Sequence, residues 1–241
     1  MNKDIFGKAL LDYQNGNYSE DIVTWTNISD KDVLPLPYLF RSYSEMPQLE
    51  QRALSLCKGK ILDVGCGAGS HALWLQNNGF KVKAIDSSKG AVEVAKKRGV
   101  LEVELRSLLE ETGSFDTVLL LMNGTGIFQT LSQVSKHLIH LKSLLRPNGQ
   151  ILIDSSDISY MYFSEDELET EIDVERLNAL NHGNYYGELD YYLSYEGEEE
   201  TPMTWLYLDF ETLSMACQAV GLECKKLRDG THYDYLAQLL L

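Results

Sequence analysis

The chain has 241 residues, 44% of them hydrophobic, and a net charge of −15. This composition supplies enough apolar surface for a substantial core, which excludes a wholly disordered chain. The N-terminal residues lack the unbroken apolar run of a signal peptide, and the apolar run 118–122 is too short to cross a bilayer. The four cysteines form no C-x-x-C pair, so the sequence predicts a reduced, cytoplasmic protein without a zinc site.

Much of the negative charge lies in one part of the chain. Residues 164–200 hold thirteen acidic residues and one basic residue, Arg176. Such a stretch repels the phosphates of nucleic acid, and no cluster of lysine or arginine elsewhere compensates it. We therefore expect neither a nucleic-acid nor a membrane partner, and a solvated surface is the simplest interpretation of the acidic stretch.

The first 56 residues are predicted to form two short helices, near 4–13 and 46–57, on either side of a candidate strand at 22–28. From residue 60 onward, apolar strands alternate with amphipathic helices. The strands are predicted at 60–64, 81–86, 100–105, 115–122 and 150–154, and the helices at 70–78, 91–97 and 131–145. This alternation indicates a parallel sheet with helices on both faces.

The regular alternation breaks after residue 154. Residues 156–204 contain most of the acidic stretch and seven tyrosines. No repeat or linker divides the chain, so we predict a single domain over 1–241. The remaining predicted elements are the two arms of a hairpin (185–197 and 204–210), a helix (211–219) and two strands joined around Asp229-Gly230 (222–227 and 233–241).

The main chemical motif is ILDVGCGAGS at 61–70, where Gly65, Gly67 and Gly69 follow a buried strand and precede a helix. This G-x-G-x-G spacing differs from the G-x-G-x-x-G of dinucleotide-binding folds. Asp86 ends the next strand, and FDTVLLL and LLRPNGQILID follow in order. This ordered set resembles the class I S-adenosylmethionine-dependent methyltransferases, and the final hairpin resembles that family's reversed seventh strand.

The resemblance implies a Rossmann-like α/β sheet of seven strands, mostly parallel, with an antiparallel last strand and helices on both faces. It implies S-adenosylmethionine as the cofactor, no metal, and in-line transfer of a methyl group to a small-molecule acceptor. Two alternatives stay open. One is a protein that binds this cofactor without transferring its methyl group, and the other is an NAD-dependent oxidoreductase that uses the same sheet.

The resemblance also assigns roles to residues near the glycine loop. Asp86 is expected to accept hydrogen bonds from the ribose hydroxyls, although a helix N-cap, which Ser87 or Ser88 could equally supply, is the alternative. Asp63 is expected to engage the cofactor's ammonium, or alternatively to brace the loop through backbone N–H groups. Cys66 is expected to be a small filler between the glycines. The cofactor-binding residues predicted in this part are Asp63, Gly65, Cys66, Gly67, Gly69, Asp86 and Ser87.

Two later positions depart from commoner family patterns. After the third strand, Ser107 and the backbone of Leu108 are the nearest candidates for contact with the adenine, with Glu110 in reserve. After the fourth, the sequence NGTG replaces the D/N-P-P-Y/F stretch of enzymes that methylate nucleobases or amide nitrogens, which disfavours that chemistry. We expect the backbone at Asn123 and Gly124 to pass beside the cofactor's methionine portion instead.

Two segments outside the sheet are expected to cover the site. Residues 1–56 are predicted to cap the cofactor cleft, where Arg41 pairs either with the cofactor's carboxylate or, at the surface, with Glu45 or Glu50. Residues 156–204 are predicted to lie near the acceptor pocket, where tyrosines and acids favour an amine-bearing or cationic acceptor. Alternatively, the tyrosines pack on the sheet or on the partner of a homodimer. No catalytic base is assigned, because a sulfonium is already an activated methyl donor.

Overall fold

Two β-sheets organise the chain in the computed structural model, which describes residues 3–163 and 174–241. The helices of these residues are α1 (Ile5–Asn15), α2 (Leu36–Leu39), α3 (Gln48–Leu56), α4 (Ser70–Asn77), α5 (Lys89–Arg98), α6 (Leu131–Ser143), α7 (Val174–Leu180) and α8 (Phe210–Ala219). The strands are β1 (Ile22–Thr26), β2 (Asp32–Leu34), β3 (Lys60–Val64), β4 (Lys81–Asp86), β5 (Val103–Leu105), β6 (Phe115–Leu120), β7 (Leu145–Ser156), β8 (Glu188–Tyr195), β9 (Glu198–Glu199), β10 (Met203–Leu206), β11 (Glu223–Asp229) and β12 (Asp234–Leu240).

The larger sheet has seven strands in the order β11-β12-β7-β6-β3-β4-β5. Strands β3 to β7 are parallel, β12 runs antiparallel to β7, and β11 runs antiparallel to β12. This arrangement confirms the predicted fold class, including the reversed last strand. The strand predicted at 100–105 is shorter, and the one predicted at 150–154 extends back to Leu145.

Helices cover both faces of this sheet, as parallel strands with two apolar faces require. On one face, Leu138 of α6 and Leu213 of α8 belong to the same buried cluster as Phe115 of β6. On the other face, Ala53 of α3 and Ala72 of α4 pack in a second cluster. None of the helices that the structure describes is long and apolar enough to cross a membrane.

The smaller sheet joins the N-terminal segment to the insertion after β7. Its order is β10-β8-β1-β2, with β9 beside β8 and all pairs antiparallel. The predicted hairpin is present as β8 and β10, but β8 also pairs with β1, in the register Val23 to Ser194. The strand predicted near the N-terminus and the hairpin predicted near residue 190 therefore belong to one β-sheet.

Most tyrosines of 156–204 pack within the chain. Tyr185, Tyr186 and Tyr195 are buried, Tyr192 stacks on Trp25 with ring centroids 5.2 Å apart, and Tyr160 stacks on a tyrosine of the final hairpin. This packing agrees with the alternative prediction that the tyrosines pack on the sheet, and the chain's own sheets provide the packing surface. The acidic residues of 164–173 lie outside the described part of the chain, so the prediction for them stays open.

Candidate active site

A cavity of about 600 Å³ lies where the carboxyl ends of β3, β4, β5 and β6 meet the smaller sheet and α1. Ligands of open α/β sheets bind at the carboxyl ends of the strands, so this is the expected place for a site. The sheet side contributes Gly65, Cys66, Gly67, Asp86, Ser87, Leu105, Asn123 and Gly124, and the covering side contributes Lys3, Asp4, Phe6, Arg41, Tyr191, Glu200, Trp205 and Tyr207.

The glycine loop turns sharply between β3 and α4. The N–H groups of Gly65 and Cys66 both donate to the carbonyl of Ile85, at 2.9 and 3.1 Å. Gly67 has a left-handed φ of 51°, and a Cβ there would meet no atom within 4 Å. Gly69, also left-handed, has no such space, because a Cβ would lie 2.8 Å from a methyl of Val100. Gly67 therefore faces the cavity, whereas Gly69 allows the start of α4 to pack closely against Ala95 of α5 and Val100.

Asp86 joins the two loops that border the cavity. One carboxylate oxygen accepts the N–H of Gly67 at 2.8 Å, and the other accepts the N–H of Ser88 at 2.8 Å. The N-cap of α5 is Ser88, whose hydroxyl accepts the N–H of Ala91, so Asp86 is not the helix cap. Burial raises the pKa of Asp86 above its ordinary value. A carboxylate has about four acceptor positions, so capacity remains for a ligand.

Asp63 lies behind the loop rather than on the cavity wall. Its side chain is buried, and one carboxylate oxygen has no hydrogen-bond partner among the described residues. Burial raises the pKa of Asp63 to about 6. A role for Asp63 toward an ammonium, directly or through the loop, remains a prediction that this geometry leaves open.

A second buried acid, Asp154, supports the loop after β6 and was not predicted. Its two oxygens accept the N–H groups of Met122 at 3.0 Å and of Gly124 at 2.8 Å. Burial raises the pKa of Asp154 to about 7. The sequence does contain a signal for Asp154, because Asp154 ends the apolar segment QILID just as Asp86 ends KVKAID.

The raised pKa values of Asp63 and Asp154 predict that these two groups contribute stability that is lost as pH rises. The unfolded chain loses both protons near pH 3.8, whereas folded Asp63 holds its proton to about 6 and folded Asp154 to about 7. In that window the folded state binds more protons, so the free energy of unfolding falls as pH rises, by about 1.4 kcal/mol per pH unit for each proton. Urea unfolding at several pH values measures the slope.

Asp154→Asn should make that slope shallower, because the amide does not titrate. The matched control is Asp32→Asn, at an exposed position on β2, which should leave the slope as it is in the unmodified protein. An identical slope in Asp154→Asn and the unmodified chain would contradict the assignment of the proton to Asp154.

Arg41 belongs to a buried ionic cluster rather than to the surface. Its guanidinium donates from Nη2 to both oxygens of Glu50, at 2.5 and 2.6 Å, and Nε2 of His71 lies 2.6 Å from the same carboxylate. Burial opposes ionisation of Glu50, yet His71 and Arg41 together hold its pKa below the ordinary value. The expected alternative partner, Glu50, is thus correct, but the expected surface location is wrong.

Arg41 and His71 both line the cavity. Nε of Arg41 is buried without a hydrogen-bond partner among the described residues, while Nη2 is occupied by Glu50. The guanidinium also lies over the ring of Tyr38, 4.0 Å from its centroid. His71 is buried on α4, and its place beside Glu50 could not be predicted from helical spacing.

The segment after β6 holds the smaller sheet against the larger one. Asn123, in a left-handed conformation, donates to the carbonyl of Leu206 at 3.2 Å and accepts from the hydroxyl of Ser155 at 3.1 Å. Thr125 donates to the same Leu206 carbonyl at 3.0 Å. The side chain of Asn123 therefore connects the two sheets, and Asn123 and Gly124 both line the cavity.

Ser107 and Leu108 do not reach the cavity wall. Ser107 and Glu110 cap a short 3-10 turn at Leu108–Glu110, with the Ser107 N–H donating to the Glu110 carboxylate at 3.0 Å, and Leu108 is buried. Leu105, the last residue of β5, lines the cavity instead. Contact of Ser107 or Leu108 with an adenine therefore stays a prediction that the unliganded geometry does not favour.

The acids of the β8–β9 turn mostly face α1. Glu196 forms an ion pair with Lys8, and Glu198 pairs with Lys3 at 2.6 Å. Glu196 and Glu198 are not among the residues that line the cavity, because Lys8 of α1 and Lys3, just before this helix, hold them in ion pairs, so a place for these two acids beside an acceptor stays a prediction. In the described part of the insertion, Glu200 and Tyr191 remain as the acid and the tyrosine on the cavity wall.

Within residues 3–163 and 174–241, no three histidine, cysteine, aspartate or glutamate side chains are grouped so that they could hold a metal ion. The four cysteines are free thiols. The polar groups at the cavity are instead suited to an organic ligand that carries hydroxyls and charges of both signs.

Comparison with known proteins defines the class. The methyltransferase-domain family matches residues 61–149. The structure superposes with a TM-score of 0.87 on a SAM-dependent methyltransferase from Bacteroides fragilis, solved in complex with S-adenosyl-L-homocysteine. The two chains are 39% identical, and the match covers 99% of this chain and 95% of that one. The chain belongs to the S-adenosylmethionine-dependent methyltransferases, which confirms the predicted family.

Two further relatives show how far the similarity extends. The ubiquinone biosynthesis O-methyltransferase of Rickettsia conorii is 32% identical over 115 residues, which are 45% of this chain and 38% of that protein. The chain thus spans less than half the length of the curated relatives that it matches. The CcbJ methyltransferase of Streptomyces caelestis, with a TM-score of 0.61, 14% identity and coverage of 81% and 90%, shares the fold alone.

Proposed function

We propose that this chain transfers a methyl group from S-adenosylmethionine to a small-molecule acceptor. The observation that carries the proposal is the cavity in which Gly67 and Asp86 meet at the ends of neighbouring strands. The space facing Gly67 and the remaining acceptor capacity of Asp86 fit a ligand with a ribose diol. The Bacteroides fragilis relative, solved with S-adenosyl-L-homocysteine, supports the same cofactor here.

Each side of the cavity carries residues that suit one part of the cofactor. Asp86, with Ser87 beside it, would accept the ribose hydroxyls. The backbone of Gly65–Gly67 and of Gly124 would flank the methionyl portion. Arg41, whose Nε has no hydrogen-bond partner in the described part of the chain, would face the carboxylate of that portion. Bound here, the cofactor supplies an activated methyl group on a sulfonium.

The main chemical task of the chain is then to align the reacting groups and exclude water. Correct alignment can contribute about 7 to 11 kcal/mol to the lowering of the barrier, more than the roughly 10²- to 10⁴-fold effect of a positioned base. The described cavity wall already includes two rigid loops, held by Asp86 and Asp154. No side chain is assigned as a base, and none is needed for this part of the proposal.

The acceptor side of the cavity is an aromatic wall formed by Tyr191, Trp205 and Tyr207. Trp205 and Tyr207 flank Leu206, whose carbonyl accepts hydrogen bonds from Asn123 and Thr125, so both rings are held next to the loop after β6. Such a wall suits a small organic molecule.

An amine is the functional group that this wall favours, because Glu200 also lines the cavity. Aromatic faces attract a cation with about 0.5 to 2 kcal/mol, and a carboxylate adds to this attraction. Burial raises the pKa of Glu200, and a cation bound beside it would lower that pKa again by favouring the charged form. The acidic composition of the insertion supports the absence of a nucleic-acid partner.

The decisive experiment measures S-adenosylhomocysteine formation with a panel of amines, phenols and carboxylic acids. Turnover on any of them separates an enzyme from a protein that only binds the cofactor. Calorimetry with S-adenosylhomocysteine and with NAD tests the cofactor independently. Binding of NAD but not of S-adenosylhomocysteine would overturn the proposal in favour of an oxidoreductase, and turnover restricted to carboxylic acids would overturn the preference for amines.

Gly126→Ala is predicted to impair acceptor binding without weakening cofactor binding. A Cβ at Gly126 would overlap the indole ring of Trp205, so the ring must leave its place beside the loop. We expect kcat/KM for the best acceptor of the panel to fall about 10-fold or more, since one aromatic contact contributes roughly 1.4 kcal/mol. The dissociation constant of S-adenosylhomocysteine should change little.

The matched control is Trp25→Leu, which removes an aromatic ring from the same sheet where it stacks on Tyr192, away from the cavity-lining residues. Its kcat/KM should stay close to that of the unmodified enzyme. A fall of equal size in both variants would show that sheet stability, and not the position of Trp205, sets acceptor turnover.

We also propose a cytoplasmic location, supported by the four free thiols, which a reducing compartment preserves. We also propose that the chain can form a homodimer, and analytical sedimentation would measure its mass in solution. The tyrosines of the described insertion find their packing partners within one chain, so they do not require a second subunit.

A further inference from the structure

One side chain at the start of α1 holds the start of α5. Oδ1 of Asp4 accepts the hydroxyl of Ser88 at 2.8 Å and the N–H of Gly7 at 2.9 Å, and Oδ2 accepts the N–H of Gly90 at 2.8 Å. Asp4 therefore caps its own helix and ties it to the first turn of α5. Both helices present their positive N-terminal ends to this carboxylate.

The same contact continues to the glycine loop. The N–H of Ser88 donates to Asp86, and the other oxygen of Asp86 accepts the N–H of Gly67. A continuous chain of hydrogen bonds thus runs from Asp4 through Ser88 and Asp86 to Gly67. Asp4, Ser88, Asp86 and Gly67 all line the cavity, so each link of the chain borders the place proposed for the cofactor.

The packing of the two helices leaves little freedom at this point. A Cβ on Gly90 would overlap the backbone of Gly7, so the two helices touch through their main chains. On its other side, α1 is held to the turn after β8 by the ion pair of Lys8 with Glu196, and Lys3, just before α1, pairs with Glu198 of β9. The helix α1 therefore connects the loop that holds Asp86 with the smaller sheet that supplies the aromatic wall.

We propose that Asp4 is a positioning residue for the cofactor: it holds the Ser87-Ser88 turn so that Asp86 faces the ribose. By the same contact it keeps Lys3 and Phe6 over the cavity. The proposal rests on the proposed function only in taking this cavity as the cofactor site. It goes beyond that function by placing a residue of the N-terminal helix, remote in sequence from the glycine loop, in control of cofactor affinity.

The test is calorimetry of S-adenosylhomocysteine binding to the full chain. Asp4→Ala should weaken binding about 10- to 100-fold, the loss typical of hydrogen bonds to a charged group. Ser88→Ala should weaken it as well, although α1 keeps its cap. The double variant should bind no more weakly than the weaker single variant, because both substitutions break the same link. Asp4→Asn, which retains one acceptor oxygen, should be intermediate.

Two measurements separate positioning from a general loss of structure. Asp12→Ala, on the same helix and ion-paired to Lys8 away from the cavity lining, is the matched control and should bind S-adenosylhomocysteine like the unmodified chain. Urea unfolding of Ser88→Ala shows whether affinity falls further than stability does. Additive effects of Asp4→Ala and Ser88→Ala, or unchanged affinity in Asp4→Ala, would overturn the inference. Failure of the unmodified chain to bind S-adenosylhomocysteine would instead overturn the proposed function.

Discussion

Asp86→Ala is expected to weaken binding of S-adenosylhomocysteine by roughly two to four orders of magnitude. The ribose diol loses two hydrogen bonds to a charged acceptor, each about 1.5 to 3 kcal/mol, and every 1.4 kcal/mol is a factor of ten. The substitution also leaves the N–H groups of Gly67 and Ser88 without their acceptor, so the two loops lose their mutual support. Calorimetry on the full chain measures the change.

The matched control for Asp86→Ala is Glu93→Ala. Glu93 is an exposed acid of α5 that forms an ion pair with Lys97. The affinity of this variant should equal that of the unmodified protein, because the position is remote from the cavity lining. Unchanged binding in Asp86→Ala would remove Asp86 from the cofactor site and would leave the fold assignment intact.

Glu50→Gln is expected to cost the most stability of the substitutions considered. Glu50 neutralises the Arg41 guanidinium, which is 6% exposed, and removing its charge leaves that guanidinium buried beside a neutral amide. Breaking a buried ion pair in this way costs about 3 to 5 kcal/mol. For a chain of this size the melting temperature should fall by roughly 6 to 20 °C.

The double variant Arg41→Met with Glu50→Leu tests the reason for that loss. Replacing both partners by apolar side chains removes the uncompensated charge, so most of the stability should return. The double variant should still bind S-adenosylhomocysteine more weakly than the unmodified protein, since Arg41 faces the proposed carboxylate. A double variant no more stable than Glu50→Gln would show that packing, and not charge, is what Glu50 provides.

The parts of the site that follow a strand could be predicted because their signals are local. Three glycines between an apolar strand and a helix, and an aspartate at the end of the next strand, are recognisable within a few residues of sequence. The structure brings Gly65, Gly67 and Asp86 to one cavity, as the pattern indicates. Asp154 carries a signal of the same kind at the end of the predicted strand 150–154, but the resemblance assigned no role to this position.

The contacts that the sequence did not predict join residues that lie far apart in the sequence. The ion pair of Arg41 with Glu50 was one of two alternatives, and its burial depends on how α3 lies against the loop that begins α4. Trp205 lies in the predicted arm 204–210, but the sequence pattern assigns it no role, since only the structure shows the space at Gly126 that receives its ring. Such contacts depend on the relative placement of elements, and periodicity does not contain that information.

The sequence by itself determined the alternation of strands and helices, because hydrophobic period and turn chemistry act over short distances. It also carries the ordered motifs whose resemblance to a known family implied the seven-stranded sheet and the family. Only the tertiary structure decided that β1 pairs with β8, that α1 is tied to α5 through Asp4, and that the acids of the β8–β9 turn face lysines. An open strand edge or an exposed carboxylate can accept many partners, and the packing of the whole chain selects which one it meets.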